Sequence, residues 1–355
     1  MSNLAAVILS VFSCAAVACG QPAGTGKQAP AAQVQAPAPA PELKPKVIAP
    51  RPAPDPSKFA VIISGISGEE AYAKQFGKWS ADLRAALVER LAFAEDHVTL
   101  LTEKPADGDL KSTAAEVRKA FAALKSAAGT DHSVFVFFIG HGTSDGKESK
   151  FNLVGPDISA TEYAALIKAV PARRVVVVNM ASASGDFIKP LSGAGHVTVT
   201  ATRNGQEQNA THFAEYFIQA LGSPEADTDK NGRISVLEAF DFAAKQTARF
   251  YETEKRLATE HPIFDDNGDG VGHDKPEAGD GSLAKATFFD SLPAQQAGGD
   301  AELKKLFDDR ARLEAEVEQL KSQKEQMKAD EYEAALEKLL LQLAELNQKI
   351  QARQK

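Results

Sequence analysis

The chain has 355 residues, 25% of them charged, and a formal net charge of −8, a globular composition that excludes a fully disordered chain. The acidic balance argues against nucleic-acid binding, which needs a basic surface that displaces counterions. Both cysteines, Cys14 and Cys19, lie near the N-terminus, so residues 20–355 contain no disulfide, no cysteine-ligated metal site and no cysteine nucleophile.

Residues 1–19 are typical of an export signal. An apolar run at residues 4–12 is too short to span a bilayer, and small residues follow it up to Cys19. The last four residues, Ala-Val-Ala-Cys, resemble a bacterial lipobox, which implies that Cys19 is lipidated. We therefore expect an exported lipoprotein, periplasmic or outer-surface, that meets the membrane only through its lipid anchor. A plain secretory signal with an incidental cysteine is the alternative.

Residues 20–57 are rich in alanine, glutamine and proline. Such a segment buries no apolar surface and favours polyproline II, so it is a semi-rigid linker. A linker after a lipidated cysteine holds a folded domain away from the membrane.

An α/β domain is predicted over residues 58–292. Short apolar, β-branched runs indicate strands at residues 59–64, 97–101, 133–139, 174–180 and 196–200. Helical periodicity separates the strands, as at residues 71–94 and 111–127. Continuous apolar strands that alternate with helices predict a mainly parallel sheet with helices on both faces.

Polar residues follow two of the predicted strands, at the carboxyl ends where such sheets bind ligands. His141 and Gly142 follow the run at 133–139, and Ser182 follows the run at 174–180. His141 and Ser182 are a candidate base and nucleophile, and backbone N–H groups near Gly142 are candidate oxyanion donors. A turn histidine and a helix N-cap serine are the structural alternatives.

These motifs resemble the caspase/legumain-like superfamily of cysteine peptidases, in which one strand ends in His-Gly and the next in Cys-x-Ser-Gly. His141 and the following glycine match the first motif, and the second reads Ser-Ala-Ser-Gly from Ser182. Residues 59–68 resemble the first strand and loop of legumain, with Ser67 where legumain carries an asparagine that supports the histidine. The resemblance covers about residues 59–219 and implies that fold and a polypeptide substrate or ligand.

Serine in the place of cysteine changes the expected chemistry. A cysteine, with a pKa of about 8.5, is partly thiolate near neutral pH, whereas a serine hydroxyl must lose its proton to a base during attack. Three interpretations stay open: a pseudopeptidase that still binds polypeptide, an atypical hydrolase that uses Ser182 and His141, and a structural or interaction scaffold.

The most specific motif is a twelve-residue EF-hand calcium loop at residues 227–238, which reads DTDKNGRISVLE. Gly232 permits its sharp turn and Ile234 is its apolar packing residue. Helical patterns flank it at residues 212–221 and 236–251. The expected Ca²⁺ ligands are Asp227, Asp229, Asn231, the carbonyl of Arg233, Ser235 and the bidentate Glu238. A capped acidic turn without metal is the alternative.

A second acidic loop repeats the first part of this spacing at Asp265, Asn267 and Asp269. It has Pro276 in the twelfth position, and Glu277 comes one residue late. A partial calcium loop of dockerin type and a solvated turn are equally open interpretations.

Residues 300–355 are expected to form a helical hairpin or a short coiled coil. Apolar residues at alternating spacings of three and four indicate two amphipathic helices, with Asp330 at the break as a cap for the second. Arg310 and Lys324 fall on the first apolar stripe, which argues against a long dimeric seam. Self-packing or self-association is favoured over a site for another partner.

Overall fold

A computed structural model describes residues 51–277, 279–291, 300–322 and 327–353. The predicted signal, the lipidation residue Cys19 and most of the predicted linker lie outside these ranges. The described residues all belong to one compact unit. Among the helices of the described ranges, none combines the length and apolar character that crossing a bilayer requires.

The fold is α/β, and the ten strands of the described chain form a seven-stranded, mainly parallel main sheet and a separate three-stranded sheet. The strands are β1 (Lys58–Ser64), β2 (Val98–Thr102), β3 (Leu110–Lys111), β4 (Ser133–Ile139), β5 (Gly142–Ser144), β6 (Ser149–Phe151), β7 (Ile158–Ser159), β8 (Arg174–Asn179), β9 (His196–Thr200) and β10 (Ile263–Asp265). The order in the main sheet is β10-β9-β8-β4-β1-β2-β3. Only the β10–β9 pair within it is antiparallel. The predicted class, with its mainly parallel sheet, is confirmed.

Helices flank the sheet and continue to the C-terminal end of the described chain. They are α1 (Glu70–Ala85), α2 (Ala114–Ala127), α3 (Ala160–Lys168), α4 (Ile188–Leu191), α5 (Phe213–Ala220), α6 (Val236–Thr253), α7 (Ser282–Lys285), α8 (Ala301–Ser322) and α9 (Ala329–Arg353). Short helical turns add a π-helical segment at Ala86–Arg90 and 3-10 turns at Glu95–His97 and Gly185–Phe187.

Two apolar layers cover the two faces of the sheet. In β4, Phe135 and Phe137 face a layer that contains Phe217 of α5 and residues of α1 and α6. The alternate residues, such as Phe138, face a layer that contains Phe121 of α2 and residues of α3. Because both faces are buried, β1, β4 and β8 carry nearly continuous apolar runs, which is why these runs were visible in the sequence.

Two predicted helices are shorter than expected. The helix expected over 71–94 ends at Ala85 and continues as one π-helical turn over Ala86–Arg90. It stops there because the backbone turns at Ala92, which has a φ of 59° and whose carbonyl accepts the Asp55 N–H over 2.7 Å. The helix expected over 111–127 begins at Ala114, because β3 pairs with β2 and the Thr113 hydroxyl caps the helix.

Five short strands were not predicted from the sequence. β5, β6 and β7 form a small antiparallel sheet directly after His141, and β3 and β10 extend the main sheet. Each has only two or three residues, too few for an alternating pattern to be recognised.

The C-terminal helices form an antiparallel hairpin. Its apolar contact contains Leu303, Phe307, Leu313, Leu346 and Ile350, and the Arg353 Nε donates to the Asp300 carboxylate over 2.7 Å, which ties its two ends together. Asp330 lies in the first turn of α9, which begins one residue earlier, so the expectation that it precedes the helix as its cap is corrected. Lys324 lies outside the described residues.

Candidate functional site

The carboxyl ends of β4 and β8 bring His141 and Ser182 to the same edge of the main sheet. Phe138 pairs with Asn179 in these parallel strands, and each candidate residue follows its paired residue by three positions. Gly142 lies directly against Ser182. Its N–H donates to the Ser182 Oγ over 3.1 Å, and the hydroxyl donates back to the Gly142 carbonyl over 3.2 Å.

His141 does not share this contact. No hydrogen bond joins its ring to Ser182 in the described part of the chain, and the ring packs against Tyr72 and Phe76 with centroids 4.7 and 5.1 Å away. Burial lowers the pKa of His141, and a hydrogen bond with the Ser67 backbone opposes this shift. The expected base–nucleophile hydrogen bond is not formed, because the Ser182 side chain is buried and satisfied by the nearest backbone groups.

Close backbone approach explains the glycines of both motifs. A Cβ at Gly142 would lie 2.4 Å from the Ser182 carbonyl oxygen, and one at Gly185 would lie 2.2 Å from the Arg203 carbonyl carbon. In the turn from Ser182 to Gly185, Ala183 has a φ of 51°. This is a left-handed conformation that a residue with a Cβ adopts only at a cost in free energy. The turn after β8 is therefore fixed by its neighbours in one conformation.

Glu103 supports the loop that contacts His141. The Ser67 hydroxyl and N–H donate to the Glu103 carboxylate over 2.6 and 3.2 Å, and the Ser67 backbone holds the His141 ring. The family resemblance singled out Ser67 but not Glu103. The available signal was an acidic residue immediately after the apolar run of β2, again at a strand's carboxyl end.

A histidine–carboxylate contact that the sequence did not predict lies after β9. The His261 Nδ1 donates to the Glu207 carboxylate over 2.5 Å, and Glu207 also accepts the His261 N–H. Next to it, the Glu260 carboxylate accepts two backbone N–H groups at the start of α5, and burial raises its pKa to about 7. These carboxylates hold the local backbone in place.

The predicted calcium loop folds so that three carboxylates converge. One oxygen from each of Asp227, Asp229 and Glu238 lies within 4.8 Å of the others. No other group of three acidic, cysteine or histidine side chains converges in this way within the described ranges. Gly232 has a φ of 81°, the left-handed conformation that the sharp turn requires.

Two further expected ligands have contacts inside and beside the loop. The Asn231 Oδ1 accepts the Arg233 N–H over 2.8 Å. The Arg233 side chain points away from the loop and is buried, and it forms a bidentate ion pair with Asp290 and lies 3.7 Å above the Phe288 ring centroid. Its guanidinium is therefore no obstacle to a carbonyl ligand at this position.

Glu238 also begins α6 through a capping box with Ser235. The Ser235 Oγ accepts the Glu238 N–H over 3.2 Å, and the Glu238 carboxylate accepts the Ser235 N–H over 3.0 Å. The other carboxylate oxygen accepts the Thr228 N–H over 3.0 Å. Both oxygens of the twelfth-position carboxylate are thus directed into the loop before any metal is considered.

The converging charges repel each other. Desolvation raises the pKa of Asp229, and the negative charges of Glu238 and Asp227 raise it further. A bound cation would remove this repulsion. The donor set, carboxylate and amide oxygens with one carbonyl, fits Ca²⁺.

The second acidic loop has similar turns but no convergence of three acidic groups. The Asp265 carboxylate accepts the N–H groups of Gly268 and Gly270, and the Asn267 Oδ1 accepts that of Asp269 over 2.8 Å. Glu277, the late glutamate, lies 3.7 Å from a lysine at the surface.

Two surface grooves lie away from the His141 edge. One, of about 650 Å³, lies between α8 and α9 and is lined by Leu313, Leu339 and charged residues. The other, of about 510 Å³, lies beside α1 and α5 and includes Trp79. Neither groove is lined by His141 or Ser182.

Known proteins similar to this chain are found among solved structures. No family model matches the chain, and no curated protein matches it. A crystal structure of protein GSU0716 from Geobacter sulfurreducens is similar with 13% sequence identity and a TM-score of 0.39, over 59% of this chain and 92% of that one. A likeness this distant carries no inference about function.

Proposed function

We propose that this chain is an exported, calcium-binding homologue of the caspase/legumain-like peptidases that binds polypeptide without cleaving it. Support comes from the adjacent strands β4 and β8, from His141 and Ser182 at one sheet edge, and from the close approach of the two motif glycines. The order and spacing of these features agree with both family motifs. The alternatives, a turn histidine and an N-cap serine, explain these features less well.

One observation favours an inactive site over a serine hydrolase. The Ser182 hydroxyl is hydrogen-bonded to both the N–H and the carbonyl of Gly142, and Ser182 is only 1% exposed. Its proton is directed at a carbonyl oxygen instead of the His141 ring. The Gly142 N–H, the candidate oxyanion donor, is already occupied. Serine attack needs both a base and free donors.

Activity-based labelling tests this assignment. We expect a fluorophosphonate probe to leave the purified chain unlabelled and a peptide library to remain uncleaved, whereas Ser182→Cys should gain cleavage that depends on His141. Ser184→Cys, a buried serine in the same turn, is the matched control and should gain none. Labelling of the unmodified chain that is lost in Ser182→Ala would overturn the proposal in favour of an active hydrolase. A library that is neither bound nor cleaved would favour a scaffold.

Calcium is the proposed ion of the loop at residues 227–238. The supporting observation is the convergence of Asp227, Asp229 and Glu238 within an EF-hand spacing. Extracellular calcium modules bind with dissociation constants of about 10⁻⁴–10⁻³ M. Calcium is abundant outside the cytoplasm, so even a weak site would be filled there and would act as a structural clip.

The export proposal rests on the sequence before the folded unit. Lipidation at Cys19 would anchor the chain, and the proline-rich linker would separate the domain from the membrane. Labelled palmitate should be incorporated into the unmodified precursor and lost in Cys19→Ala, with Cys14→Ala as the matched control. Release of the unmodified protein in soluble form would contradict the anchor.

A further inference from the structure

The buried side chain of Arg310 joins the hairpin to the proposed calcium loop. Arg310 of α8 is 5% exposed, and its Nη1 donates to the Asn231 carbonyl over 2.8 Å. Its guanidinium also lies over the Phe307 ring and 3.4 Å from the Glu314 carboxylate. Burying a guanidinium costs free energy unless the group is paired. The hydrogen bond to Asn231 therefore explains why a charged residue stands on the apolar stripe of α8.

The carbonyl that Arg310 holds belongs to the peptide unit between Asn231 and Gly232. The N–H at the other end of this unit donates to the Asp227 carboxylate over 2.9 Å. A peptide unit is planar, so a guanidinium that fixes the carbonyl also fixes the direction of the N–H. Arg310 therefore acts on the first expected calcium ligand through one rigid group, and it occupies none of the ligand atoms.

We propose that Arg310 is a positioning residue of the calcium loop, through which calcium binding and docking of the C-terminal hairpin stabilise each other. The proposal rests on calcium binding by residues 227–238. Without Arg310, the Asn231–Gly232 peptide keeps only the hydrogen bond of its N–H to Asp227, and the ion must hold the carbonyl end of the loop itself. The positive charge of Arg310 would by itself repel Ca²⁺, but Glu314 offsets it locally.

Calorimetric titration of the full chain with CaCl₂ tests the proposal. Arg310→Met should weaken calcium binding about tenfold, within the range typical of coupled sites. The matched control is Arg312→Met, which removes the same charge from the same helix at an exposed position paired with Glu316. This control should change the affinity less than twofold. Equal or tighter binding by Arg310→Met than by Arg312→Met would overturn the proposal. Absence of calcium binding in the unmodified chain would instead refute the calcium site itself.

If docking of the hairpin strengthens calcium binding, calcium must stabilise the docked hairpin to the same extent, and this supplies a second measurement. Calcium should slow hydrogen exchange in α8 of the unmodified chain, and this calcium effect should disappear in Arg310→Met. Arg310→Lys keeps the charge and can still donate a hydrogen bond, so its calcium affinity should be intermediate. This variant replaces Arg310→Met in the test if Arg310→Met proves poorly folded. Exchange in α8 that is insensitive to calcium, in a chain that binds calcium, would contradict the coupling.

Discussion

The two acidic loops fold by the same local rules but are completed differently. In the first, Asp227 accepts the N–H five residues later, from Gly232. In the second, Asp265 does the same with Gly270. Each loop also has an amide or carboxylate side chain that accepts the N–H two residues later. The alternating acidic residues and the glycine thus specify the turn, whether or not a metal is bound.

The loops differ in the carboxylate that returns to them. Glu238 comes back to the first loop because α6 starts there with its capping box. In the second loop the returning carboxylate is Asp280, which accepts the N–H groups of Asp266 and Asn267 and the Nδ1 proton of His273. We infer that the first loop is completed by an ion and the second by the protein.

The largest expected effect comes from removing the returning carboxylate of the first loop. Calcium at a hundredfold excess over its dissociation constant should raise the free energy of unfolding of the unmodified chain by about 2.7 kcal/mol. Glu238→Gln should lose most of this rise, because an amide offers one uncharged oxygen where the ion takes two. Denaturant unfolding in chelator and in calcium measures it. Glu252→Gln, on the exposed face of the same helix, should retain the full rise, and an equal rise in Glu238→Gln would contradict the assignment.

A smaller effect, independent of calcium, is expected in the second loop. Asp265 is 2% exposed and accepts two backbone N–H groups. Asp265→Ala removes the acceptor of both N–H groups and should destabilise the chain by roughly 1–3 kcal/mol, by the same amount in chelator and in calcium. A loss confined to calcium-containing buffer would show that the second loop also binds the ion.

The smallest effect concerns the proton on His273. Its hydrogen bond to Asp280, together with the nearby negative charge, raises the pKa of His273. The resulting stability is fully present below about pH 6.5, the unfolded value, and is lost as the pH rises through the raised pKa. His273→Gln should remove this pH dependence, worth below about 1 kcal/mol for a single ion pair. Unfolding between pH 6 and 9 measures it, and an unchanged profile would contradict the assignment.

The sequence predicted what is encoded locally. The five long strands were recognisable because both faces are buried, and the convergence of Asp227, Asp229 and Glu238 was recognisable because they lie within twelve residues. The residues that contact the first loop from elsewhere in the chain could not be recognised in the sequence. Asp290 lies 57 residues from Arg233, and Arg310 lies 79 residues from Asn231, so only the folded topology brings them together.

The catalytic expectation was incomplete for a related reason. Strand order and motif spacing placed His141 and Ser182 at strand ends. Neither could show that the Ser182 hydroxyl would bind Gly142, because that contact depends on the register of β4 against β8 and on the left-handed turn at Ala183.

Calorimetric titration with CaCl₂ at neutral pH distinguishes a first loop that is completed by an ion from a second loop that is completed by the protein. We expect a single site in the unmodified chain, with a dissociation constant in the range of about 10⁻⁴–10⁻³ M or tighter. That site should be lost in Glu238→Gln and unchanged in Asp269→Asn. Two sites, or a single site that Asp269→Asn removes and Glu238→Gln leaves intact, would contradict it.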